Sequence, residues 1–231
     1  MKKILHLFQR ILTVIGSRIS LRRLWEFQMI VNYLRLGRYY RDNGFKIKNR
    51  VNDQLDVFNT VIKKIQKKRV VYLEFGVYKG KTTQYWANKL THPESIFFGF
   101  DSFEGLPEDF DIIGPIKKGK FNTGGKFPEI SDKRVRFVKG RFEKVLPTFQ
   151  SIPNLDELVI IMDADIYNST IYVLRYLRKF IKVGTYIYFD DMSRVEHDPR
   201  AFKEFMEETG RKFELIAVDI RLNKVFFKCI E

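Results

Sequence analysis

The chain has 231 residues, 45% of them hydrophobic and including 22 Phe and 11 Tyr, so it can bury a core without staples and is too apolar for a disordered chain. Its single cysteine, Cys229, excludes an internal disulfide and a multi-cysteine zinc site. The net charge of +14 is unevenly spread: residues 1–50 hold twelve Lys or Arg against two Asp or Glu, a net of +10, and the remainder nets +4.

In chain order, Ile4, Leu7, Phe8, Ile11, Leu12 and Ile15 recur at helical spacing. The stretch is too short to span a bilayer, and His6, Gln9 and Arg10 interrupt it, which argues against a secretory signal as well. A second helix is predicted over 21–41, stopped by Asn43-Gly44, and a third over 54–66. The pattern then changes. Short apolar runs at 70–75, 95–100, 135–138, 158–162, 185–189, 213–220 and 224–230 read as strands, with helices predicted at 81–90, 169–180 and 199–208. Strands alternating with helices indicate a parallel sheet covered on both faces. The last two strands are joined by a short connection, which predicts an antiparallel hairpin. The expected fold is therefore α/β, a doubly wound and mostly parallel sheet. A basic helical arm (1–50) precedes the main domain (51–231).

Ligands in such sheets bind at the carboxyl ends of the strands, and polar residues gather there. The first strand runs into Gly76 and Gly80, a turn that allows close backbone approach but lacks the dinucleotide-binding spacing. Asp101 ends the second strand, 25 positions after Gly76, where an acid can bind ribose hydroxyls. The plainer alternative is an Asp that caps its own turn. The fourth strand ends in Asp163 and Asp165, and the fifth in Asp190 and Asp191. Four carboxylates on one rim repel one another and call for protonation or a cation, and oxygen-only ligands suit Mg²⁺, Mn²⁺ or Ca²⁺. The competing reading has Asp163 and Asp165 capping the next helix and Asp190 or Asp191 paired with an arginine.

Taken together, Glu74-Phe-Gly-Val-Tyr-Lys-Gly80, Gly99-Phe-Asp-Ser-Phe-Glu-Gly-Leu-Pro107, Asp163-Ala-Asp-Ile-Tyr-Asn-Ser-Thr170 and Asp190-Asp191 resemble the macrocin O-methyltransferase family. The resemblance covers about residues 70–205. It implies a seven-stranded class I methyltransferase (Rossmann-like) sheet, bound S-adenosylmethionine and a divalent metal, usually Mg²⁺. It also implies methylation of a sugar hydroxyl, with a sugar-containing acceptor. On that resemblance, Asp163, Asp190 and Asp191 are the metal ligands and Asp165 is the general base. Glu74, Gly76, Gly80, Thr82, Asp101, Ser102, Arg141, Phe142 and Asp163 are the cofactor contacts.

The segment 111–127 carries Gly114, Gly119, Gly124, Gly125 and several lysines, and is expected to be a lid or a solvated loop. Two other readings compete. A nucleic-acid methyltransferase rests on the net charge alone and is disfavoured. An inert methyltransferase fold serving as a membrane- or partner-binding module conflicts with the intact acidic set. The arm's apolar residues favour packing against another subunit, giving a homo-oligomer, with contact with an anionic membrane as the alternative. The expected location is cytoplasmic, with a peripheral position at the inner membrane surface as the alternative.

Overall fold

The computed structural model describes residues 2–109, 116–149 and 151–231. Two helices form the arm, α1 (Lys2–Gly16) and α2 (Leu21–Asp42), the second capped by Ser20. Then follow β1 (Arg50–Val51), α3 (Gln54–Ile65), β2 (Val70–Phe75), α4 (Lys81–Lys89), β3 (Ile96–Asp101), β4 (Val135–Lys139) and the short α5 (Phe142–Val145). The chain ends with β5 (Glu157–Met162), α6 (Tyr167–Leu177), β6 (Tyr186–Phe189), α7 (Asp198–Thr209), β7 (Phe213–Asp219) and β8 (Val225–Cys229).

The sheet has eight strands in the order β1-β7-β8-β6-β5-β2-β3-β4, against the seven expected. The extra strand is β1, two residues parallel to β7 through Arg50 opposite Val218. Two residues are too few for an alternating pattern to show. The predicted antiparallel pairing of the last two strands is present, and β8 also inserts antiparallel between β7 and β6.

Every residue of β2 is buried because both sheet faces are covered. Val71, Leu73 and Phe75 face one core with α6 and α7, whereas Val70 and Tyr72 face the other with α3 and α4. Trp86 of α4 is fully buried in that second core. From β2 the chain moves outward through β3 and β4, then returns to the other side of β2 with β5 and β6. The carboxyl ends of β2 and β5 thus mark the point where strand order reverses, where such sheets bind ligands.

Candidate active site

A cavity of about 560 Å³ opens over this switch point. That is within the usual range for a small-molecule site, roughly 300–1,000 Å³. Of the residues singled out from sequence, Gly76, Asp101, Ser102, Arg141, Phe142, Asp163, Asp165, Asp190 and Asp191 line it together. Glu74, Gly80 and Thr82 are not on its wall. Glu74 lies behind the turn, 1% exposed, and accepts hydrogen bonds from the Tyr72 hydroxyl at 2.7 Å and the Thr83 hydroxyl. Burial raises its pKa to about 8, so it is protonated at neutral pH. Gly80 starts α4 at φ +70°, and a Cβ there would lie 2.7 Å from Pro128, so packing already accounts for this glycine.

Gly76 is demanded by strand proximity. Its φ is +93°, and a Cβ would sit 1.8 Å from the Asp163 carbonyl oxygen. No side chain fits between the ends of β2 and β5, which are joined there by the Asp163 N–H donating to the Phe75 carbonyl at 2.9 Å. Asp101 organises the loops of the cavity. Its carboxylate accepts from the backbone N–H groups of Val77 and Tyr78, both at 2.8 Å, and of Phe103 at 2.7 Å. The turn-capping alternative is thus part of its role, and a carboxylate has acceptor capacity beyond three bonds. Phe142 packs edge-on against Phe75 and presents an aromatic wall.

The acidic rim departs from simple capping. α6 has Ile166 at its N-cap and no side-chain cap. Asp165 instead occupies the centre of a three-residue turn closed by the Ile166 N–H donating to the Ala164 carbonyl at 2.7 Å, with φ +62°. A non-glycine residue in this region is strained, and such strain concentrates at functional sites. The predicted arginine pairing is also present. Asp191 lies 3.4 Å from Arg194, and Lys224 pairs with Asp190. Asp190 further accepts from Gln54 at 2.8 Å and from Tyr188 at 2.7 Å, while Asn223 donates to Asp191 at 3.2 Å.

The charges do not balance. Burial pushes the Asp163 pKa well above the ordinary carboxylate range, reinforced by Asp190 and Asp165. Burial, with Asp191, raises Asp165 to about 7. Burial opposes the Lys224 ammonium, yet Asp190 and Asp191 hold its pKa above the ordinary lysine value. The four carboxylates share the rim with two cations, Lys224 and Arg194. An all-oxygen donor set with surplus negative charge fits a hard dication in chemistry. Among the described residues, no three acidic, His or Cys side chains converge as they would around an ion. A cation bound there would have to draw them together and compete with Lys224 for Asp190.

Sequence reasoning missed Lys224, Arg194, Gln54 and Asn223. The β6–β8 register sets Phe189 opposite Val225, which brings Lys224 beside Asp190. Only the strand order holds that information. Ile116 and Phe121 of the expected lid border the cavity, and residues 111–115 lie outside the described residues.

Strand order, the inserted antiparallel β8 and a cavity over the β2/β5 switch point define the class I methyltransferase fold. Residues 48–228 match the macrocin O-methyltransferase (TylF) family, and the chain belongs to it. Over 92 residues it is 33% identical to demethyldecarbamoylnovobiocin O-methyltransferase of Streptomyces niveus, a match spanning 39% of this chain and only 34% of that relative. The O-methyltransferase NovP superposes with a TM-score of 0.56 at 22% identity, over 74% of this chain and 80% of its own. The calicheamicin methyltransferase CalS11 gives 0.56 at 18% identity, over 76% of each chain. A CmcI structure with Mg and SAM gives 0.51 at 14% identity, over 77% of this chain and 71% of its own.

Proposed function

We propose that this chain is an S-adenosylmethionine-dependent, divalent-cation-assisted O-methyltransferase acting on a hydroxyl of a sugar, on a glycan, a nucleotide sugar or a glycosylated natural product. One observation carries the reading: the glycine turn with Asp101 and the four-carboxylate rim line a single cavity. Family membership and the names of the novobiocin and calicheamicin relatives support the sugar-bearing acceptor. The CmcI neighbour's Mg and SAM support the two cofactors.

Gly76, Asp101, Ser102, Arg141 and Phe142 form the half of the cavity suited to the cofactor, whose sulfonium supplies an already activated methyl group. Asp163, Asp190 and Asp191 would hold a divalent cation, which would lower the pKa of a hydroxyl bound to it. Asp165 would take the hydroxyl proton as the methyl group passes from the sulfonium to that oxygen, the carbon–sulfur bond electrons leaving with S-adenosylhomocysteine. Its place on the cavity wall beside the cation-holding carboxylates suits a base for the bound hydroxyl. The strained turn fixes its place, so the rate rests on positioning and one proton transfer. No Cys or Ser nucleophile is required.

The test is transfer of a labelled methyl group from S-adenosylmethionine to a panel of nucleotide sugars and glycosides, with Mg²⁺ or with a chelator. Wild type should label at least one acceptor, and Asp165→Asn should lower kcat by about 10²–10⁴-fold while leaving S-adenosylhomocysteine affinity within a factor of about two. Full activity of Asp165→Asn would remove Asp165 as the base. Methylation of RNA but of no sugar would overturn the acceptor class.

A further inference from the structure

We infer that the N-terminal arm is a peripheral anchor for an anionic lipid surface, with α1 lying flat in the headgroup region. None of the residues of α1 is buried. Ile4, Leu7, Phe8, Ile11, Leu12 and Ile15 form one continuous apolar face, each 47–74% exposed. Lys3, His6 and Arg10 fall on the opposite face at 3.6 residues per turn. A helix of 15 residues is about 22 Å long. No helix among the described residues is long and apolar enough to cross a membrane. An amphipathic helix with a basic polar face matches the interfacial class instead.

Charge chooses the occupant. Lys2, Lys3, Arg10, Arg18, Arg22 and Arg23 precede the first acidic residue, Glu26. Packing on a second copy, the expectation from apolar content alone, would bring together two chains of +14 each. An acidic bilayer face offers both the apolar depth and the opposite charge. The arm is also tied to the catalytic body. Leu36 and Tyr40 of α2 are buried, the Tyr40 hydroxyl donates to the Leu222 carbonyl at 3.2 Å, and Arg35 pairs with Glu196, two positions beyond the cavity-lining Arg194. A membrane-bound α1 would therefore tether the catalytic body to the bilayer through α2. The family match begins at residue 48, so α1 and α2 lie outside the matched residues. The inference stands independently of the methyl-transfer reading.

The test is sedimentation of the full chain with vesicles of phosphatidylcholine, with and without phosphatidylglycerol, alongside light scattering for subunit number. Wild type should pellet with the anionic vesicles and stay in solution with the neutral ones. Each Lys or Arg contributes roughly fivefold near an anionic surface, so Lys2→Gln, Lys3→Gln and Arg10→Gln together should weaken partitioning by about a hundredfold. Phe8→Glu with Ile11→Glu should abolish it. Phe8 and Ile11 are exposed and belong to no hydrophobic core cluster among the described residues, so the variants should keep the wild-type melting temperature. Three results would overturn the anchor: no pelleting of wild type with anionic vesicles, equal pelleting of the Phe8/Ile11 variant, or loss of subunit association in that variant without any vesicle binding. A preference for RNA over anionic vesicles with a steep salt dependence would also overturn it.

Discussion

Replacing Gly76 by alanine separates a close-packing requirement from a backbone one. The left-handed conformation costs an L-residue about 1–2 kcal/mol wherever it occurs. Gly184 is a matched control, with φ +100° against +93° at Gly76, and an added Cβ at Gly184 meets nothing within 4 Å. Gly184→Ala should therefore cost about 1–2 kcal/mol. At Gly76 the new methyl would sit 1.8 Å from the Asp163 carbonyl oxygen, a backbone atom held just past the end of β5 that cannot rotate away as a side chain can. Relief requires the ends of β2 and β5 to separate. That weakens the Asp163–Phe75 hydrogen bond, worth about 0.5–1.5 kcal/mol, and adds an overpacking strain of about 1–3 kcal/mol. The total for Gly76→Ala is about 3–6 kcal/mol. Any entropy gain from removing a glycine from the unfolded chain is common to both variants and cancels. Urea unfolding with unchanged slopes gives the comparison directly. Equal destabilisation of the two variants would refute the close-approach explanation. Gly76→Ala should also lose S-adenosylhomocysteine binding, because Asp163 and the glycine turn move apart.

Two further outcomes follow from the buried charges. Glu74 has a folded pKa of about 8 against an ordinary 4.5, so the folded state holds a proton that the unfolded state releases between those values. Wild type should lose stability as pH rises from about 4.5 to about 8, with a ceiling of about 4–5 kcal/mol, and Glu74→Gln should flatten that fall. Melting curves from pH 5 to 9 in which the two proteins fall in parallel would contradict it. Lys224→Met removes the ammonium from Asp190 and should destabilise the protein by about 3–5 kcal/mol without added metal. Mg²⁺ should then raise its melting temperature more than that of wild type, and an equal or smaller rise would show that Lys224 and the cation do not compete.

The sequence made the site more legible than the sheet that builds it. Strand ends are marked by composition: apolar runs stop at Asp101, Asp163 and Asp190, and the fold rule places all three at one edge. The cavity therefore gathers nine of the twelve residues singled out from sequence. The three it leaves out have packing explanations or stand off its wall. Glu74 is buried because β2 alternates between two cores, and Gly80 yields to Pro128. β1 was illegible because two residues carry no period, and its pairing with β7 is purely tertiary. The cations on the rim were illegible for a similar reason. Lys224 lies 34 positions from Asp190, and only the insertion of β8 beside β6 makes them neighbours. The turn strain at Asp165 is also invisible in a string of letters, since its φ of +62° is set by β5 ending and α6 beginning within a few residues.

The most direct measurement is calorimetric titration of S-adenosylhomocysteine into the wild-type protein and into Asp101→Ala. The account predicts one molecule bound per wild-type chain, and at least about tenfold weaker binding, or about 1.4 kcal/mol, once the carboxylate that holds the Val77, Tyr78 and Phe103 amides is gone. No heat of binding in wild type, with or without Mg²⁺, would contradict the assignment of the cavity to a methyl donor.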